Sequence, residues 1–87
     1  MKLFKQNANS YSTDLGDITV ILNGDTGLYF ELNETSSVIW ALIDKPRDMN
    51  YIVKKLSEDF QGNHEIIKSN VLEFIDEAEK KGIIEII

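Results

Sequence analysis

Cysteine is absent from the chain, which excludes a disulfide framework, a thiolate nucleophile and any thiolate-ligated metal. The one histidine, His64, has no second histidine, cysteine or serine motif with which to form a catalytic dyad or a metal site, so it reads as a surface residue at a helix start. Positive charge is scarce: nine Lys and Arg face fifteen Asp and Glu, a net charge of −6. That balance repels phosphate and removes the counterion release that dominates nucleic-acid affinity, so no nucleic-acid partner is expected. No stretch approaches the 18 or so apolar residues needed to span a bilayer, and Met1 to Asn9 lacks the apolar run of a signal peptide. No membrane partner is expected, and the expected compartment is the cytoplasm. Glycine-rich phosphate chemistry is also missing, because Asn23-Gly24-Asp25-Thr26-Gly27 has neither the lysine nor the following helix of a phosphate loop. Asp14 and Asp17 flank Gly16 without the ligand spacing of a calcium loop, so they read as turn residues. No catalytic residue, metal or cofactor is expected.

What is present is ordinary globular material: 43% hydrophobic residues, with one Trp, three Tyr and four Phe among 87 residues. That composition folds, and at this length it makes one domain, residues 1–87, that buries only about 60–65% of its unfolded surface. So little interior leaves scant room for an enclosed active site, and a non-enzymatic role is expected.

Residues 24 to 43 concentrate the organisation of the chain. Ile18-Thr-Val-Ile-Leu22 and Leu28-Tyr-Phe-Glu-Leu32 are apolar, β-rich runs separated by a five-residue turn, which predicts a hairpin. Asn and Gly are expected to supply positive φ angles in that turn, with a bulge at Thr26-Gly27. In its second strand Leu28, Phe30 and Leu32 are expected on one face, the core face, and Tyr29 and Glu31 on the other. An earlier strand is expected around Ser10 to Asp14, after a polar tail or lead-in from Met1 to Ser10. Asn33 then caps a helix carrying Val38, Ile39, Leu42 and Ile43, with Trp40 on its flank, which stops before Pro46. Asp48 caps a second helix, Met49 to Phe60, with Ile52, Val53, Leu56 and Phe60 on one side. Asn63 opens a third helix, His64 to Lys81, with an apolar stripe of Ile67, Val71, Phe74, Ile75 and Ala78. It ends at Gly82 in the position after the C-cap, and Ile83 to Ile87 follows as a strand or extended tail. The expected fold class is α+β: a winged helix-turn-helix-like domain, with an N-terminal three-stranded antiparallel sheet followed by three helices.

In this order and spacing the chain resembles the PqqD-like family, the leader-peptide recognition fold of ribosomal peptide natural-product biosynthesis. The carrying residues are Thr26-Gly27-Leu28-Tyr29-Phe30-Glu31-Leu32-Asn33-Glu34, Ile39-Trp40-x-Leu42-Ile43-Asp44-x-Pro46, Ile52/Val53-x-x-Leu56, Val71-x-x-Phe74-Ile75 and Lys81-Gly82-Ile83-Ile84. The resemblance implies that the precursor's leader peptide adds to the exposed edge of the third strand, with the third helix as the opposing wall. It further implies a separate modifying enzyme on another chain, such as a radical enzyme, a leader protease (leader peptidase) of the lasso-peptide type, or a cyclase.

Strand addition draws affinity from main-chain hydrogen bonds on an unpaired edge and selectivity from pockets between strand and helix. The candidate peptide-binding residues are therefore Leu28, Tyr29, Phe30, Glu31 and Leu32 on the edge. On the third helix they are Lys68, Leu72, Ile75 and Glu79, which recur at i, i+4, i+7 and i+11 along one flank. Leu72 stands roughly 100° from Val71, off the centre of the core stripe, so it is expected to form a groove wall, with Lys68 placed to meet an acidic leader side chain. On that reading Leu72→Asp weakens leader binding and spares the fold, whereas Ile75→Asp damages both.

Simpler roles stand beside these. Phe30 and Trp40 suit sheet packing, Asn33 and Asp48 are caps, the Tyr29 hydroxyl serves either purpose, and Asp76, Glu77 and Glu79 suit a solvated helix face. Two other functions fit the same element order. A winged-helix transcriptional regulator is disfavoured because the third helix carries Glu65, Glu73, Asp76, Glu77 and Glu79 where phosphates would approach. A structural subunit that forms a homodimer through its sheet edge and the apolar Ile83 to Ile87 tail is the other.

Overall fold

The computed structural model describes residues 1–87. The order is β1 (Phe4–Gln6), β2 (Ser10–Asp14), β3 (Thr19–Asn23), β4 (Tyr29–Leu32), α1 (Glu34–Leu42), α2 (Met49–Asp59), α3 (His64–Lys80) and β5 (Ile84–Ile86). Strands β2, β3 and β4 form a three-stranded antiparallel sheet with β3 in the centre. The α+β fold class, with this sheet ahead of three helices, is therefore as expected.

The N-terminal segment differs from the expectation. Phe4–Gln6 is a strand rather than a tail, and it pairs antiparallel with β5 in a second, two-stranded sheet, Phe4 opposite Ile86 and Gln6 opposite Ile84. Backbone bonds Leu3 N–H to Ile87 O and Ile87 N–H to Leu3 O extend this ladder, and Phe4 exchanges two more with Arg47. The apolar end of the chain thereby finds a partner within the chain, with Phe4 and Ile84 buried in the common core.

Helix boundaries follow local chemistry. Asn33, Asp48 and Asn63 each adopt extended backbone, and their side chains accept from the amides of Ser36, Tyr51 and Glu65, satisfying donors that have no partner within the helix. At the end of α3, Gly82 N–H donates to Glu79 O and Ile83 N–H to Ala78 O, the paired bonds of a Schellman motif. Gly82 takes φ +71°, where a Cβ would also sit 3.1 Å from Asn23 Nδ2, so glycine is required there on both counts. The turn redirects Ile83, which has no exposed surface, into the core.

One core serves the whole molecule. Ile21 and Leu32 from the sheet, Ile39, Trp40 and Ile43 around α1, Ile52, Val53 and Leu56 from α2, and Ile67, Val71, Phe74, Ile75 and Ala78 from α3 belong to a single buried cluster. Asn23 is buried among them and ties three parts together: its side-chain oxygen accepts from Asp25 and Thr26 amides, and its Nδ2 donates to Lys81 O at 2.8 Å. The hairpin is thus fastened to the C-terminal end of α3. No helix is long and apolar enough to cross a membrane.

Candidate functional site: the β4 edge and the α3 groove

Cross-strand neighbours share a face of an antiparallel sheet, so the register sorts the side chains. The rows Ser12–Ile21–Phe30 and Asp14–Thr19–Leu32 face the core, while Tyr11–Leu22–Tyr29 and Thr13–Val20–Glu31 face outward. Burial agrees: Ile21 and Leu32 are buried, and Tyr29 and Glu31 are exposed. Leu28 departs from the expected pattern. It precedes β4, follows the turn at Gly27 with φ +75°, and is 58% exposed beyond the edge of the core. The turn itself also works differently from the expectation. Only Gly27 in it has positive φ; Gly24 is needed because a Cβ would lie 2.6 Å from Asn9 O, the carbonyl to which Gly24 N–H donates.

The backbone of β4 is free on one side. Asn23 N–H donates to Leu28 O, which makes that pair a hydrogen-bonded one. The alternation of an antiparallel ladder then directs the groups of Phe30 and Leu32 toward β3. Tyr29 and Glu31 are left with N–H and C=O groups pointing away from the sheet, because β4 has no neighbour beyond it.

Beside this edge runs a groove. Two hollows of about 290 and 140 Å³ adjoin through shared residues Asn33, Ser36, Phe74 and Glu77. The buried side chains Leu32, Ile39, Phe74, Ala78 and Ile83 form the groove's narrow apolar floor beneath a mostly polar lining, the first turn of α1 closes one end with Thr35 and Ser36, and Glu31 and Lys81 stand at the other. Lys81 extends over the Phe30 ring, its Nζ 5.1 Å from the centroid, a cation–π contact that holds the charged chain against the sheet.

The α3 wall consists of Asn70, Glu73, Phe74, Glu77, Ala78 and Lys81. It is the opposite flank from the one the sequence suggested. Leu72, 49% exposed, lines a separate hollow of about 260 Å³ with Met1, Lys2, Phe4, Asp48, Met49 and Asn50. Ile75 is buried in the core, and Lys68 and Glu79 are exposed and line none of the hollows. The reason is rotational. Leu72 and Glu77 stand about 140° apart around the helix, so one α3 cannot present both to β4. Of the expected edge residues, Tyr29, Phe30, Glu31 and Leu32 lie together on β4. The groove residues Asn70, Glu73, Phe74, Glu77 and Lys81 were missed. The helical spacing assigns Phe74 to the core stripe, and no local signal says which flank of a stripe meets the sheet.

A further hollow of about 580 Å³ lies under the β2 edge, between Ser12, Asp14 and Thr19 of the sheet and Glu34, Ser37 and Val38 of α1. Trp40 also lines it. Its ring is buried as expected, and its indole Nε1 has no hydrogen-bond partner. No group of three or more His, Cys, Asp or Glu side chains is placed to hold a metal.

Comparison with known proteins bears on both halves of the site. No curated protein matches the chain. Among solved structures, TbiB1 in complex with the TbiA(beta) leader peptide superposes with a TM-score of 0.86 at 23% identity, covering 93% of this chain and 94% of that one. A lasso peptide synthetase B1 complexed with its leader peptide gives 0.82 at 15% identity over 94% and 96%. The solution structure of the PqqD truncation of Methylobacterium extorquens PqqCD, described as a stand-alone RiPP recognition element, gives 0.76 at 15% identity over 95% and 88%. At those identities the likeness is one of fold. The family described as Coenzyme PQQ synthesis protein D (PqqD) matches residues 19–84, a span that begins at β3, contains the open edge and the α3 wall, and closes on β5; by that match the chain belongs to the PqqD family.

Proposed function

We propose that this protein is a non-catalytic adaptor that captures the leader segment of a ribosomally made precursor peptide and presents the peptide to a separate modifying enzyme. The observation that carries the reading is the free edge of β4 lying against the α3 groove in a chain of the PqqD family. Two of the solved structures of like fold hold leader peptides. A leader adding to β4 becomes a fourth strand, exchanging main-chain hydrogen bonds with Tyr29 and Glu31. Its alternate side chains enter the groove over Leu32, Phe74 and Ala78, whose apolar surface supplies selectivity. Binding of this kind asks little of leader sequence along the backbone and more at the pockets. The enzyme served is a radical enzyme, a leader peptidase or a cyclase, and the work is done in the cytoplasm, where precursor peptides are made.

The test is a titration of the isotope-labelled protein with the synthetic leader of the small precursor gene nearest its own. Backbone amide shifts concentrated on Tyr29–Leu32 and on Asn70–Lys81 support the reading. Shifts confined to β2 or to the outer sheet face would refute it.

A further inference from the structure

The groove has a charge character that the edge alone does not reveal. Its α3 wall carries Glu73 and Glu77 one turn apart on the same face; both line the larger hollow, and Glu77 also lines the smaller one that adjoins it. Like charges at i, i+4 oppose each other by about 0.2–0.5 kcal/mol in a helix, so the arrangement has a cost. No salt bridge offsets it. The salt bridges present are Lys5–Glu85, Lys55–Glu58 and Lys80–Asp76, and none reaches either carboxylate. Lys81, four residues beyond Glu77, is drawn over the Phe30 ring instead. The positive end of α1 opens into the same hollow through Thr35 and Ser36. It amounts to about half an elementary charge, part of which Glu34 in the first turn already complements. Two full negative charges outweigh it, and the chain as a whole, these two included, carries a net charge of −6.

We infer that the groove selects leaders carrying a lysine or arginine at the position that passes Glu73 and Glu77, and that these two carboxylates determine specificity. The inference rests on the reading that the leader lies along β4 and α3. A basic side chain entering over the Phe74 floor lays its methylenes on apolar surface and sets its charged head between the carboxylates. Neither partner is fully desolvated there, so each contact has the strength of a partly exposed ion pair and weakens with added salt. An acidic leader residue at the same place meets like charge and is rejected.

The experiment uses the full chain, immobilised, to select from a displayed library of random peptides, with Glu73→Lys/Glu77→Lys and Glu73→Gln/Glu77→Gln variants in parallel. Glu73 and Glu77 are both exposed, and an unchanged amide spectrum away from α3 certifies that each variant folds. The expected result for the wild type is enrichment of Lys or Arg at one fixed spacing from an apolar residue. The selected peptides should shift Tyr29–Leu32 amides and lose about fivefold in affinity when that residue becomes Gln, the effect of two exposed ion pairs. The Lys variant should invert the preference to Asp or Glu, and the Gln variant should abolish it. Peptides that shift Tyr29–Leu32 and the α3 wall yet show no basic preference, with no change in either variant, would overturn the inference and leave the groove reading standing. Peptides that shift other regions, or no enrichment at all, would overturn both.

Discussion

The three-stranded sheet has two edges, β2 and β4, and the contrast between them says which is built to be paired. Each edge offers outward backbone groups, and each overlooks a hollow. They differ in what stands on the core-facing side. On β4 that side carries Leu32, buried in the core, and Phe30, packed against it. On β2 it carries Ser12 and Asp14, both exposed. A charged residue turned inward on an edge strand is a recognised protection against adding another strand, since pairing would press the carboxylate toward the interior. The β2 hollow is the larger of the two, about 580 Å³, and Val38, Trp40 and Leu42 line it, yet Asp14, Asp17, Glu34 and Asp44 also line it, so an added strand would bring its backbone against four carboxylates. Size alone is the wrong guide; an available edge needs a backbone that no inward-turned charge protects.

The contrast is broken most severely from the inside. Leu32→Ala removes a 95%-buried side chain, since Leu32 is 5% exposed, and should cost about 2–4 kcal/mol of unfolding free energy in a denaturant titration. Ser12→Ala, on the core-facing side of the other edge, should stay within about 0.5 kcal/mol. A smaller but more selective effect comes from the backbone. Glu31→Pro deletes an outward N–H without touching the β3 ladder, and its ring obstructs an incoming strand. Leader affinity should fall about tenfold or more while the thermal midpoint moves little, and Ser12→Pro should leave affinity unchanged. Equal losses from both prolines would show that the two edges are equivalent.

Removing the protection should have a subtler consequence. Asp14→Leu turns the β2 edge apolar, and sedimentation at rising concentration should detect more reversible self-association than for the unaltered chain at the same concentrations. The smallest effect is expected of Leu72→Asp. Leu72 lies outside the groove in the hollow beside Met1 and Met49, so peptide affinity should hold and stability should change by no more than about 0.5 kcal/mol. A marked loss of affinity would return the α3 site to the flank that the sequence favoured.

Most of the fold was legible because most of it is decided locally. Asn33, Asp48, Asn63 and Gly82 announce helix ends within one turn of themselves, and the structure puts the three helix starts and the ends of α2 and α3 within a residue of the reading. The hairpin was legible from its β-rich runs. What sequence could not convey was long-range. Phe4–Gln6 is too short and polar to signal a strand, and becomes one only because Ile84–Ile86 arrives beside it. Gly24 looks like a turn glycine but is fixed by its approach to Asn9. The candidate site was half legible for the same reason. The edge follows from the hairpin and the cap at Asn33, whereas the wall depends on how α3 is rolled. The stripe Ile67–Val71–Phe74–Ala78 has two flanks, and exposed Leu72 drew attention to one while the groove was made on the other by Asn70, Glu73 and Glu77.

The pairing of β1 with β5 gives the molecule a purse-string. Bonds between Leu3 and Ile87 close a loop that takes in nearly the whole chain, and by chain statistics such a closure costs about 4 kcal/mol of entropy, plus a constant. The two-stranded sheet should therefore zip last in folding and open first, before the β4 edge is disturbed. Splicing residue 87 to residue 1 through a short flexible linker would make that closure permanent in the unfolded chain. The circularised protein should melt higher while leaving its edge and groove as open as before, which separates the stability of the scaffold from the availability of the strand it displays.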